Sequence, residues 1–377
     1  MRRMNRIPGL PRIPKGRAAG FAPQPANDRL TDLDTPFDNP GNLRARCYVP
    51  EGLPEGAPIV VVLHGCTQSA AVYDHGSGWS TLADRRGFAL LYPEQQRANN
   101  PMLCFNWFSQ ADAARGAGEA ASIKAMIEAM CATHGIDPAR VFVTGLSAGG
   151  AMTAVMLAAY PEIFAAGSII AGLPFGCASG AAEAFECMGG RTRVEAAELG
   201  ARVRRASRHS GAWPRLQVWQ GSADSTVVPG NADAIVRQWA NLHGLPAEPD
   251  RTDRIDGHPR RVWLGASGTP VIEQYSIAGM AHGVPLDGAA GPEALGAAGA
   301  HMLDVGIHST LRIADFFGIP AAPATAKAPP KRTAETRAPL PVEPRRMARP
   351  RTAPRPEPAS GVQAVIEKAL RAAGLMS

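Results

Sequence analysis

The chain has 377 residues, of which 45% are hydrophobic, enough for a large core in one or two globular domains. Its net charge of +6 is uneven, since residues 1–17 contain six basic and no acidic side chains and the region from 321 onward is also basic. Neither basic end contains a nucleic-acid-binding module, so we expect no nucleic-acid partner. No apolar stretch is long enough to span a bilayer, so we expect no transmembrane segment.

The first residues begin like a secretory signal, with several arginines, but the apolar segment of such a signal does not follow. Prolines and a polar run to Asp38 come instead. We therefore expect residues 1–39 to form a flexible basic arm and the protein to be cytoplasmic, with an extracellular location as the alternative.

Six cysteines are spread along the chain without the spacing of metal ligands, so we expect no metal site. In the cytosol they would be thiols. Outside the cell, Cys177 and Cys187 are the pair best placed to bridge a loop. The sequence leaves both redox states open.

Short apolar runs alternate with segments of helical periodicity in the middle of the chain. Continuous apolar runs are typical of strands covered on both faces, so the alternation predicts an α/β fold with a mostly parallel central sheet and helices on both faces. The predicted strands are 43–49 (antiparallel), 58–63, 88–92, 141–144, 165–171, 216–220 and 271–277. The predicted helices are 119–134, 148–159, 231–243 and 301–317, and 172–213 is expected to be irregular, where a lid would lie.

The sequence Gly-Leu-Ser-Ala-Gly at 145–149 stands between a predicted strand and a predicted helix. A serine nucleophile on so sharp a turn leaves no room for side chains two residues to either side, which explains the glycines. The following helix directs its first N–H groups towards the place where an oxyanion would form. We therefore interpret Ser147 as a catalytic nucleophile, with a glycine-rich packing turn as the alternative.

The predicted strand 58–63 ends in His64-Gly65-Cys66. Where serine occupies such a turn, the loop after this strand provides one backbone N–H of the oxyanion hole, and the residue after the nucleophile provides the other. Those donors would be Cys66 and Ala148. The alternative for His64-Gly65 is a plain turn at the end of a strand.

Two loops that follow predicted strands supply an acid and a base. Asp224 lies in a Gly-Ser turn after strand 216–220, and His282 lies after strand 271–277. Seen in isolation, Asp224 is more typical of a helix N-cap or a turn aspartate. The chain order Ser, Asp, His agrees with a triad in which the carboxylate holds the imidazole by its Nδ1–H, so we assign Asp224 and His282 to that triad.

An aromatic cluster, Cys-Phe-Asn-Trp-Phe at 104–108, lies in a polar loop beyond strand 88–92. Such a cluster either lines a pocket or belongs to the core, and the residues alone do not choose between the two. In the first case Trp107 would contact the substrate.

Together these motifs resemble the polyhydroxybutyrate (PHB) depolymerase-type esterase family of the α/β-hydrolase superfamily. The resemblance covers about residues 40–318 and is carried by 63–68 (LHGCTQ), 104–108 (CFNWF), 145–150 (GLSAGG), the Asp224 turn and 279–282 (GMAH). It implies a single α/β-hydrolase domain over 40–318. One departure is the Gly-Val-Pro-Leu that follows His282, where many relatives continue with an aromatic residue and proline.

The resemblance implies a serine ester hydrolase that needs no cofactor. Its substrate would be a polyhydroxyalkanoate or a hydroxyacyl ester oligomer, cleaved through an acyl-enzyme on Ser147. The alternatives are a feruloyl or acetyl-xylan esterase and, in another class, a non-catalytic binding protein of the same fold. An intact Ser, Asp and His in order argues against the last.

The end of the chain differs in composition from the body. Residues 319–360 are rich in Ala, Pro, Arg and Lys, which predicts an extended linker. Residues 361–377 place Val362, Ile366 and Leu370 on one face of a predicted short helix. Because so short a helix is not stable alone, we expect it to dock on the body, on another copy or on the surface of a polymer granule.

Overall fold

The computed structural model describes residues 25–191, 194–288 and 294–320. The strands are β1 (Thr31–Asp32), β2 (Arg44–Tyr48), β3 (Ile59–Leu63), β4 (Ala89–Glu94), β5 (Val141–Leu146), β6 (Ala166–Ile170), β7 (Arg215–Gly221), β8 (Arg251–Ile255), β9 (His258–Leu264), β10 (Pro270–Ile277), β11 (Val284–Leu286) and β12 (Met302–Asp304). The helices are α1 (Ala70–Ser77), α2 (Trp79–Arg86), α3 (Gln110–Ala113), α4 (Gly118–His134), α5 (Ala148–Ala159), α6 (Ala181–Met188), α7 (Ala196–Ala206), α8 (Gly230–His243) and α9 (Ser309–Phe317).

The first ten strands form one sheet in the order β1-β2-β4-β3-β5-β6-β7-β10-β9-β8. The strands from β4 to β10 in this order are parallel, and antiparallel pairs complete both edges. The predicted α/β fold is therefore confirmed. The carboxyl ends of β3, β5, β7 and β10 lie at one edge of this sheet, so the loops that follow them meet there.

Helices cover both faces of the sheet, and β3 shows why its residues are apolar without alternation. Every residue of β3 is buried. Val61 and Leu63 belong to the core on the face of α4 and α5, whereas Val60 and Val62 belong to the core that holds residues of α1, α2 and α9. A strand with both faces covered is apolar at every position.

The C-terminal helix is shorter than the sequence predicts. Residues 301–317 were expected to be helical, but α9 begins only at Ser309. Residues 302–304 form β12, which pairs in parallel with β11. Gly306, with φ 74°, lies between β12 and α9. Apolar spacing compatible with a helix was therefore overridden by strand pairing.

Residues 172–213 are not irregular throughout, since they contain α6 and α7. Each helix buries one narrow face: α6 buries Ala184 and Cys187, and α7 buries Leu199 and Val203. Short helices of this kind gain their stability from packing and not from propensity, which is why the sequence signal was weak.

The hairpin formed by β8 and β9 at one edge of the sheet was not predicted. Its turn is Asp256-Gly257, and both residues have positive φ (49° and 83°). Asp-Gly is the pair favoured in two-residue hairpin turns that need positive φ. This signal was available in the sequence.

The described part of the expected N-terminal arm belongs to the body. β1 pairs with β2 at the edge of the sheet, and Leu30 is buried, so the boundary at residue 39 is too late. Most of the predicted linker, and the terminal helix at 361–377, lie outside the described residues. Within the described ranges, no helix combines the length and the apolar character needed to cross a membrane.

Candidate active site

Ser147 occupies a sharp turn between β5 and α5, as the sequence predicts. Its backbone has φ 57° and ψ −118°, a conformation that non-glycine residues rarely adopt, and its N–H donates to Ile170 O at 2.9 Å. A Cβ on Gly149 would lie 2.2 Å from Leu63 O, and one on Gly145 would lie 2.4 Å from Gly149 O. Both glycines are therefore required by close backbone contact.

Asp224 and His282 meet at the carboxyl ends of β7 and β10. Asp224 Oδ2 lies 2.7 Å from His282 Nδ1, and Asp224 is buried. Its Oδ1 accepts from the N–H groups of Thr226 and Val227, each at 2.9 Å. The side chain of Gln220 donates to Oδ2 at 3.1 Å. These bonds fix the carboxylate where it can hold the imidazole.

The charge state of Asp224 follows from two opposing effects. Burial raises the pKa of its carboxyl, but the hydrogen bond and charge of His282, together with the N–H groups of Val227 and Thr226, lower that pKa further than burial raises it. The net pKa lies below the usual value. Asp224 is therefore ionised at neutral pH, so His282 Nδ1 carries its proton and Nε2 is the free basic nitrogen.

Ser147 and His282 line one cavity of about 50 Å³. Its wall also includes Gly65, Cys66, Thr67, Gln68, Leu146, Met188, Thr226 and His301. Within the described part of the chain, the Ser147 hydroxyl has no hydrogen-bond partner, so its bond to the imidazole is not formed in this structure. Catalytic hydrogen bonds are often long until a substrate is bound.

The two residues predicted to provide oxyanion donors, Cys66 and Ala148, line a cavity together with Ser147. Ala148 is the first residue of α5, so its N–H precedes the intrahelical hydrogen bonds. Cys66 lines the same cavity as Ser147, and among the described residues no acceptor contacts its N–H. The neighbouring Thr67 N–H donates to Met102 O at 2.7 Å, which ties this loop to the loop that follows β4.

Two disulfides are present, and one of them lies at the site. Cys66 is bonded to Cys104, with their Cα atoms 4.2 Å apart. Cys177 is bonded to Cys187, the pair that the sequence favours if the protein lies outside the cell. The Cys66–Cys104 bond links residues 38 apart in sequence and joins the expected oxyanion loop to the aromatic loop, a contact that cysteine spacing does not reveal.

Ser147 also lines a second, apolar cavity of about 60 Å³. Trp107 and Phe108 line it, and their rings pack edge to face at 5.5 Å. Trp107 therefore faces the site while remaining largely buried. Helix α6 contributes four residues to the wall, Ala181, Ala184, Phe185 and Met188. Within the segment 172–213, α6 is therefore the helix that covers the site.

A buried polar network behind the aromatic loop was missed by the sequence analysis. Glu119, at the start of α4, is buried. It accepts hydrogen bonds from the side chain of Gln95 (2.5 Å) and from the side chain and backbone N–H of Asn106 (2.8 and 2.9 Å). Gln95 N–H in turn donates to His64 Nε2 at 3.1 Å. The network fixes Asn106, the residue before Trp107.

The burial of Glu119 predicts that the free energy of unfolding depends on pH. Burial raises its pKa from 4.5 to about 8, despite the three donors that favour its ionised form. Between these values the folded state retains a proton that the unfolded state has lost, so the free energy of unfolding falls as pH rises from 4.5 to about 8. We expect Glu119→Gln to flatten this slope in urea titrations at several pH values.

The matched control is Glu128→Gln, an exposed glutamate on the same helix. For Glu128→Gln, the free energy of unfolding should fall with pH as steeply as it does for the wild type. A Glu119→Gln slope as steep as that of the wild type would contradict a raised pKa at Glu119.

The family model described as "Esterase PHB depolymerase" matches residues 43–255. Poly(3-hydroxyalkanoate) depolymerase C of Paucimonas lemoignei is 47% identical over 291 residues, which is 77% of this chain and 70% of that protein. Feruloyl esterase B of Talaromyces funiculosus is 33% identical over 267 residues, 68% of this chain and 74% of that protein.

A solved structure extends the comparison to the fold. The acetyl xylan esterase from Aspergillus awamori superimposes with a TM-score of 0.65 at 28% identity, covering 77% of this chain and 99% of that chain. The matched family model covers more than half of the chain, and the relatives' names agree on ester hydrolysis. The chain therefore belongs to the PHB depolymerase family of esterases and is a carboxylic ester hydrolase of the α/β-hydrolase superfamily.

Proposed function

We propose that this enzyme hydrolyses polyhydroxyalkanoate or hydroxyacyl ester oligomers, with Ser147, His282 and Asp224 as its catalytic triad. The observation that best supports this triad is the 2.7 Å hydrogen bond between Asp224 and His282. His282 lines the same cavity as Ser147, which lies on the strained turn.

In the acylation step, Ser147 Oγ attacks the ester carbonyl carbon while His282 Nε2 takes its proton. The N–H groups of Cys66 and Ala148 stabilise the oxyanion, each worth about 3–4 kcal/mol in comparable sites. His282 then returns the proton to the leaving alcohol. This alcohol leaves through the cavity beside His282, because the proton must be delivered there.

In the deacylation step, a water molecule takes the place of the alcohol. His282 accepts one of its protons, the water oxygen attacks the acyl carbon, and the proton passes to Ser147 Oγ as the acyl bond breaks. Asp224 remains ionised and stabilises the imidazolium. The mechanism calls for no metal or organic cofactor.

The substrate class is supported by the apolar cavity and by the relatives. The cavity of about 60 Å³ that Trp107 and α6 line suits a short acyl group such as hydroxybutyryl better than a bulky aromatic acid. The 47% identical relative is named a poly(3-hydroxyalkanoate) depolymerase, whereas the relatives named feruloyl or acetylxylan esterases are 32–33% identical. These esterases define the alternative substrates.

A substrate panel tests this proposal. We expect kcat/KM for a hydroxybutyrate trimer to exceed that for methyl ferulate at least about tenfold. The acyl groups of these two substrates differ by several apolar carbon atoms that would contact the cavity wall, and each such contact changes kcat/KM. p-Nitrophenyl acetate, butyrate and octanoate would report the acyl length, and acetylated xylan would test the remaining alternative. The reverse preference would assign a feruloyl or acetyl-xylan esterase, and binding without turnover of any ester would indicate a non-catalytic protein.

We also propose that the enzyme works in an oxidising compartment. Its two disulfides support an extracytoplasmic location over the cytoplasmic one expected from the sequence, because structural disulfides are rare in the cytosol. Protein isolated without reductant, denatured and alkylated should be modified at Cys47 and Cys131, the described free cysteines. Alkylation of Cys66 and Cys104 would contradict this proposal.

The predicted helix at 361–377 is proposed to dock the enzyme on polymer granules, assisted by the basic linker before it. Deleting residues 321–377 should leave hydrolysis of a soluble ester unchanged and reduce binding to amorphous granules. The part of the granule binding that is lost should be the part that weakens as the salt concentration rises. Unchanged granule binding would overturn the docking role, and loss of soluble-ester activity would show that the helix packs on the body.

A further inference from the structure

A second histidine lies at the site, on a segment that the sequence analysis assigned to a helix. His301 precedes β12 and lines the same cavity as Ser147 and His282. Its ring centre is 5.9 Å from that of His282, with the two planes nearly perpendicular. The mechanism described above assigns it no role.

His301 is held in place from both sides. Its Nδ1 lies 3.1 Å from the backbone oxygen of His282, and its own backbone oxygen accepts from Val284 N–H at 2.8 Å. Its φ is 59°, an uncommon conformation for a residue with a side chain. These two bonds fix the imidazole against the loop that carries His282.

The hydrogen bonding determines which nitrogen carries the proton. A carbonyl oxygen only accepts, so Nδ1 must be the protonated nitrogen of His301. Burial lowers the pKa of this imidazole, and the hydrogen bond to the His282 backbone opposes burial without cancelling it. At neutral pH the ring is therefore uncharged. Its Nε2 is then an acceptor, and it has no partner among the described residues.

We propose that His301 Nε2 orients the water that hydrolyses the acyl-enzyme. This role rests on the acyl-enzyme mechanism proposed above. Water has two hydrogens: His282 Nε2 removes one, and His301 Nε2 accepts a hydrogen bond from the other, which stays on the oxygen as it attacks the acyl carbon. The cavity of about 50 Å³ has room for a water molecule.

Attack of an alcohol, instead of water, on the acyl-enzyme distinguishes this role from one in which His301 only positions His282. Methanol has a single O–H hydrogen, and His282 must take it. His301 therefore has no hydrogen to accept when methanol attacks the same acyl-enzyme. Loss of the acceptor should slow hydrolysis and leave methanolysis nearly unchanged.

The experiment uses the full chain with p-nitrophenyl butyrate in buffer containing methanol, and measures the ratio of methyl butyrate to butyrate. His301→Asn keeps a side-chain N–H near the position of Nδ1 and removes the acceptor at Nε2. We expect the ratio to rise at least about fivefold, the effect of one hydrogen bond. His301→Gln, which places an amide oxygen near the position of Nε2, should bring the ratio back towards that of the wild type.

The ratio does not depend on how much enzyme is folded, so partial misfolding does not obscure it. His209→Asn, in a surface loop where the ring contacts Ala212 O, is the matched control and should leave the ratio unchanged. If both His301 variants slow hydrolysis and methanolysis equally, His301 only positions His282 and the proposal is wrong. A wild-type enzyme that a serine-directed phosphonate does not label at Ser147 would instead overturn the acyl-enzyme mechanism.

Discussion

Ser147→Ala is expected to lower kcat by about five to six orders of magnitude, the loss found when a triad nucleophile is removed. The fold should survive, because in the described structure the hydroxyl has no hydrogen-bond partner whose loss would destabilise it. Serine and alanine at position 147 would both adopt the strained backbone at φ 57°, so the substitution does not change this strain. The free energy of unfolding should therefore change by less than about 1 kcal/mol.

Both quantities are measured on the purified variant, with p-nitrophenyl butyrate hydrolysis for kcat and urea denaturation for stability. The control is Ser80→Ala, a buried serine on α2 that lines neither of the two cavities at Ser147. This control should lose stability, since Ser80 donates to Asp74 at 2.7 Å, and keep its turnover. Hydrolysis by Ser147→Ala within tenfold of the wild type would refute Ser147 as nucleophile.

Asp224→Asn is expected to lower kcat by about four orders of magnitude. The amide oxygen can still accept from Thr226 and Val227, so the amide nitrogen is turned towards His282 Nδ1. An N–H donor at that position requires an unprotonated Nδ1, which places the proton on Nε2. The imidazole then cannot accept the Ser147 proton.

The same amide nitrogen also faces the side-chain N–H of Gln220, which donates to Asp224 at 3.1 Å. We therefore expect some loss of stability, about 1–2 kcal/mol, in addition to the loss of turnover. Asp233→Asn is the matched control: this aspartate lies on α8 and pairs with Arg261 away from the cavity. Should Asp233→Asn abolish turnover and Asp224→Asn spare it, the assigned acid would be wrong.

Local rules of the chain explain what was predicted correctly. β3 is apolar at every position, and every residue of β5 is buried, because both faces of each strand are covered. Gly145 and Gly149 are required because backbone atoms lie where their side chains would be. Parallel strands end at one edge of a sheet, so the order Ser147, Asp224, His282 was enough to predict that these residues approach one another.

The remaining features depend on contacts between distant segments, which local patterns do not encode. Cys66 meets Cys104 across 38 positions, and Glu119 is buried because the aromatic loop folds over the start of α4. His301 enters the site because residues 302–304 pair with β11 instead of continuing a helix. The sequence by itself determined the central parallel strands, the sharp turn at Ser147 and the chain order of the candidate triad. Only the tertiary structure decided what surrounds them, because packing between loops sets those distances.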